Sequence, residues 1–224
     1  MPLLRQKGGQ GVIQEMELKV RTDLHLSRKV YHALGICFMA GLMAVTPTRD
    51  ALFYLTLVSL AVIPFDILRL KRPDLNTRIV RLFKVVMRVE EVKTISGFSF
   101  LLIGALSVTL LFPKPVAVLS IFLLAFGDPA SATFGVLFGK DRLWGRKSLQ
   151  GSLGCFTVCT IVCAVFFLAN NLMVERIVLV SILGGVIGAL SELAQFRKLD
   201  DNLTFPLFAG AGLYCLFLLF GGFT

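Results

Sequence analysis

The chain has 224 residues, 56% of them hydrophobic and only 17% charged, with a mean hydropathy of +0.80 and a net charge of +9. A soluble domain carries about a quarter charged residues and fewer than half apolar ones, so a water-soluble globular enzyme and a disordered chain are both excluded. The positive charge has no aromatic-interleaved basic domain to carry it, which argues against nucleic-acid binding. The apolar runs are long and continuous, unlike the alternating segments of about ten residues that build a membrane barrel. The expected fold is therefore all-α, a polytopic membrane helix bundle.

In chain order, residues 1–27 are polar and mixed, with no apolar stretch of signal-peptide type. They are read as a cytoplasmic or interfacial segment ahead of a single transmembrane domain over 28–224. Within them Glu15–Leu26 alternates polar and apolar residues, which is strand periodicity without a partner strand, and is assigned to the interface. Seven spans follow: Ala33–Val45, Ala51–Leu68, Ile95–Phe112, Val116–Phe138, Ser152–Leu172, Ile177–Ala194 and Phe205–Phe220. Twenty of the 23 Lys and Arg residues fall in the N-terminal segment and the second, fourth and sixth loops; only Arg49, Lys114 and Arg176 fall on the other side. This asymmetry supports seven spans, places the N-terminus and the even loops in the cytoplasm, and accounts for most of the basic residues without any further role.

Charged groups within apolar spans are expensive and need a reason. Arg28, Lys29 and His32 open the first span; cations at a helix N-terminus oppose the dipole, so membrane anchoring or a bound anion must justify them. Asp66 and Arg69, three apart, are read as a local ion pair. Asp128 sits mid-span in Gly127-Asp128-Pro129-Ala130-Ser131, where an acidic cap followed by proline predicts a broken helix restarting at Pro129. Gly127, Ser131, Gly135 and Gly139 then form a small-residue ridge for close packing. The loop Lys140–Gly151 holds Lys140, Arg142, Arg146, Lys147, Ser148 and Gly151, a mixture suited to phosphate although not in Walker order. Cys155, Cys159 and Cys163 share one helix face without a histidine and are read as small packing residues rather than metal ligands or disulfide partners. Glu192 continues the small face of Gly184 and Gly188. Asp201 and Asn202 follow in an acidic turn, Asn202 being either the cap of the last span or an oxygen ligand. Asp128, Glu192, Asp201 and Asn202 are the oxygen donors that would suit Mg2+. All these groups fall on the cytoplasmic side by the charge count, which suggests a soluble polyanion meeting a lipid.

The ordered set Arg28-Lys29-x-x-His32, Gly127-Asp128-x-Ala130, Gly135-x3-Gly139, Lys147-Ser148-x-x-Gly151, Glu192 and Asp201-Asn202-x3-Pro206 resembles the CTP-dependent lipid kinases: dolichol kinase, phytol kinase and the yeast-type diacylglycerol kinase. These are distantly similar to phosphatidate cytidylyltransferases. The resemblance covers most of the chain, from about Arg28 to Pro206, and departs at one position: the family often reads Lys-Ser-x-Glu-Gly, and this chain has Gln150. The resemblance implies transfer of a phosphoryl group from CTP, with Mg2+, to a lipid alcohol. In that scheme Asp128 holds the metal or takes the hydroxyl proton, and Glu192, Asp201 and Asn202 complete the metal shell. Lys147 and Arg146, supported by Lys140 and Arg142, hold phosphate, and Arg28, Lys29 and His32 contact phosphate or the lipid head. A lipid-phosphate cytidylyltransferase and a small transporter or flippase, which also use broken helices and buried carboxylates, are the alternatives.

Overall fold

The computed structural model describes residues 26–83, 87, 90–145, 147–194 and 199–223, without the side chains of 26–28, 90 and 144. Residues 1–25, including most of the assigned interfacial segment, and Arg146 lie outside the described residues, as does the Arg28 side chain. Among the described residues there are eight α-helices: α1 Leu26–Val45, α2 Thr48–Lys71, α3 Pro73–Leu82, α4 Gly97–Leu111, α5 Lys114–Phe138, α6 Leu149–Ala169, α7 Ile177–Leu193 and α8 Asp201–Phe220. Five of them (α2, α5, α6, α7 with its preceding turn, and α8) are long and apolar enough to cross a membrane, and the shorter apolar helices Lys29–Val45 and Gly97–Leu111 bring the apolar set to the seven spans expected. The chain is a multi-pass membrane protein.

Helix α5 is the axis of the bundle. Its first half is buried almost residue by residue, from Val116 to Ala125, and α1, α4, α6, α7 and α8 all pack on it. A stretch as apolar all round as Val116–Ala125 belongs in such a position. Small residues set the spacing around it: Cys155, Cys159 and Cys163 on α6 are fully buried, and a Cβ added at Gly127 or Gly188 would lie 2.8 or 2.6 Å from the Cys159 sulfur. The cysteines are packing residues, as expected; the Cys155 and Cys159 sulfurs stand 3.8 Å apart, far beyond a disulfide bond.

The structure corrects one local expectation and adds two elements that hydropathy does not mark. The fourth span is not broken at Asp128-Pro129: α5 runs unbroken through Pro129, which removes one backbone donor but does not stop the helix. Neighbouring helices hold both halves in line, through Gly127 against α6 and α8 and through Lys29 of α1, whose Nζ donates to Thr133 Oγ1 at 3.2 Å. The second basic loop contains α3, an amphipathic helix opened by Pro73 at its first position, with Val80 buried beside Met87 and Val92. The fourth loop folds into a small antiparallel hairpin, Arg142–Trp144 (β1) and Lys147–Ser148 (β2), turned at Gly145, whose φ of +57° is open to glycine at no steric cost.

Candidate active site

Three helix ends, the middle of α5 and the hairpin come together toward the basic end of the bundle. Ser148 caps α6, its Oγ accepting from Gly151 N at 3.2 Å, and this cap fixes where β2 delivers Lys147. Asp200, not Asn202, caps α8: its Oδ1 accepts from Asn202 N at 2.9 Å, leaving Asp201 in the first turn, where the helix dipole favours an anion. Glu192 lies in the last turn of α7, and Asp128 about two turns before the ridge residue Gly135 on α5.

These elements bring Asp128, Lys147, Glu192 and Asp201 together around a narrow crevice, with Ser191, Thr204 and Phe205 in its wall. Glu192 is 2% exposed. Its Oε1 forms the ion pair with Lys147 Nζ and also accepts from Ser131 Oγ at 2.5 Å, whereas its Oε2 is buried and accepts no hydrogen bond from the described residues. Burial alone would push the Lys147 ammonium toward neutrality; the carboxylates of Glu192, Asp128 and Asp201 outweigh it and hold its pKa above the ordinary lysine value. Three carboxylates thus act on one ammonium, while Lys140 and Arg142 stand exposed on the adjoining hairpin. Among the described residues no three His, Cys, Asp or Glu side chains surround a point closely enough to hold a metal ion on their own.

The hairpin is anchored at its base by Gln150. Its Oε1 accepts from Lys140 N at 3.1 Å and Asp141 N at 3.3 Å, and its Nε2 donates to Asp141 Oδ2 at 2.8 Å. An amide is the group that can do both; a glutamate here would face the Asp141 carboxylate.

Other assigned residues lie elsewhere. The Asn202 amide turns away from the carboxylates and donates to Gly97 O at 2.9 Å, tying α8 to α4. His32 lines a separate groove between α1, α2 and α4, and Asn202 lines the groove's near wall. The Asp66–Arg69 pair is local as expected, at 2.5 Å, but belongs to a larger network: Asp66 Oδ2 accepts from Ser96 N at 2.7 Å and from the Ser99 hydroxyl at 2.8 Å. Arg69 also donates to Asn76 Oδ1 at 2.8 Å and to Thr94 O at 2.9 Å. Ser131 and Thr204 were not assigned as site residues from the sequence; each stands three residues after an assigned carboxylate, a spacing that shares a helix face.

The chain is 32% identical over 215 residues to the CTP-dependent diacylglycerol kinase 1 of Eremothecium gossypii, covering 87% of this chain and 68% of that protein. It is 30% identical to the protein of the same name from Saccharomyces cerevisiae over 83% of this chain and 71% of that one. The Schizosaccharomyces pombe protein of that name is 30% identical over 67% of this chain and 74% of its own. No family model and no solved structure matches.

Proposed function

The chain belongs to the CTP-dependent lipid kinase family, and from that premise we propose that it transfers the γ-phosphate of CTP to the hydroxyl of diacylglycerol or a closely similar lipid alcohol, at the cytoplasmic face, with residues 28–224 acting as one membrane catalytic unit. The observation that carries the reading is the Lys147 crevice: a buried carboxylate with one oxygen doubly bonded to donors and the other unpartnered, flanked by two more acids.

Phosphoryl transfer is mostly positioning and charge neutralisation. A triphosphate entering beside carboxylates is repelled by them unless cations come with it. The donor set fits Mg2+, which takes one or two carboxylates and completes its shell with phosphate oxygens and water. Glu192 Oε2 and Asp201 would hold it, and when bound it would neutralise the transferring phosphate. Lys147 binds phosphate oxygens from its fixed place against Glu192. The hairpin cations Lys140 and Arg142 draw the nucleotide in, and Arg146, Ser148 and Gly151 belong to the same phosphate-binding turn. Lys29 braces α1 against α5 through Thr133. Asp128 takes the proton of the lipid hydroxyl as its oxygen bonds to the γ-phosphorus. The bond from that phosphorus to the bridging oxygen breaks, and CDP leaves. The kinase names of the relatives weigh against the cytidylyltransferase and transporter alternatives.

The test is a panel of lipid alcohols with CTP or ATP, read by labelled product in detergent or vesicles. Phosphorylated diacylglycerol and CDP are expected, with CTP preferred. Release of pyrophosphate with a cytidylylated lipid would instead assign the chain to nucleotidyl transfer.

A further inference from the structure

Helices α1 and α2 follow each other in the chain but scarcely touch: α1 leans on α5, and α2 leans on α4. Between α1, α2 and α4 lies a groove of about 920 Å3; the buried Ile36 and Met43 of α1 line it together with Gly35 and Met39. That volume is at the upper end of the range of about 300–1,000 Å3 for small-molecule sites. Along α1 the lining runs from Tyr31 to Thr46. At 1.5 Å per residue this is about 22 Å, most of a hydrocarbon core of about 30 Å.

The groove is mostly apolar along its length, and its charged groups gather at one end, where His32, Asp66, Arg69, Glu91, Ser96 and Asn202 line it; Thr46 and Tyr54 add hydroxyls toward the other. Asn202 lines this end, and its neighbour Asp201 lines the Lys147 crevice, so the two concavities adjoin across the first turn of α8. The charges of Asp66 and Arg69 are matched to each other, and Glu91 Oε1 accepts from Gly97 N at 3.2 Å. Such an end offers hydrogen-bonding groups suited to an uncharged hydroxyl head.

We propose that this groove is the binding site of the lipid alcohol: its hydrocarbon chains lie between α1 and α2, and its hydroxyl reaches past Asn202 to Asp128. The proposal rests on the kinase reading above.

Gly35 provides a selective probe. It lines the groove, and a Cβ there would meet nothing within 4 Å; the same is true of Gly41 on the same helix, which does not line it. Gly35→Phe should raise KM for long-chain diacylglycerol at least tenfold and leave KM for CTP unchanged, whereas Gly41→Phe should change neither. A diacylglycerol carrying a photoreactive group near its chain end should label peptides of α1 and α2 in the wild-type protein, and unlabelled diacylglycerol should compete. Equal lipid KM values for the two variants, or labelling confined to α6 and α7, would overturn the groove. Should Gly35→Phe fail to fold, Gly35→Leu and the labelling map decide. A wild-type protein without CTP-dependent kinase activity would overturn the kinase reading instead, and the labelling map would still decide the groove by itself.

Discussion

At the scale of single residues, Gln150 and Lys147 are the most informative. Gln150 accepts two backbone N–H groups and donates to Asp141, so it fits its neighbour where the family often has glutamate. Gln150→Glu should set two carboxylates against each other, loosen the hairpin and raise KM for CTP several-fold. Asp141→Asn in the same chain should restore it, because the asparagine amide can donate back; a double-mutant cycle measures the coupling. Lys147 has a raised pKa, so its charge and the ion-pair stability it contributes are full below the ordinary lysine value and are lost only as pH rises through the raised one. The loss of CTP affinity in Lys147→Ala should therefore be constant from about pH 6.5 to about pH 9, well under the ordinary lysine value of about 10.4. The acids and Lys147 could be read from the sequence because a carboxylate in an apolar run demands a partner. Which way Asn202 faces could not: adjacent helical residues point about 100° apart, so Asp201 and Asn202 serve different concavities.

At the scale of elements, Arg69 ties the end of α2 to α3 through Asn76 and to the approach of α4 through Thr94. It is 2% exposed, and Asp66 sits against it. Removing one partner of a buried pair strands the other, so Arg69→Met should destabilise the protein by about 3–5 kcal/mol. Asp66→Asn combined with Arg69→Met should recover part of that, as thermal unfolding in detergent would show. The sequence signal for this pair was its spacing of three; the bonds to Thr94 and Ser96 join segments whose packing no local pattern encodes. Helix α3 was hidden for a related reason: ten residues with four apolar positions inside a basic loop do not register as a span. The continuity of α5 was missed because cap-then-proline is a helix start in water, whereas inside the bundle the surrounding helices keep the axis whole.

At the scale of the molecule, the seven apolar helices and their polar ends were legible because twenty-residue hydropathy and charge asymmetry are long-range averages. The groove was not, since it arises from which helices fail to touch. The orientation is tested by single cysteines on a background lacking the native ones: a membrane-impermeant maleimide should reach Arg142→Cys from the cytoplasmic side and Lys114→Cys from the opposite side. The central claim is that Asp128 acts on the reacting lipid hydroxyl inside the Lys147 crevice. Its most direct measurement is the turnover of purified Asp128→Asn with γ-labelled CTP and diacylglycerol, beside nucleotide binding and the thermal midpoint. Loss of at least about a hundredfold in kcat, with CTP binding and stability close to wild type, is the expected result. Wild-type turnover in that variant would contradict it.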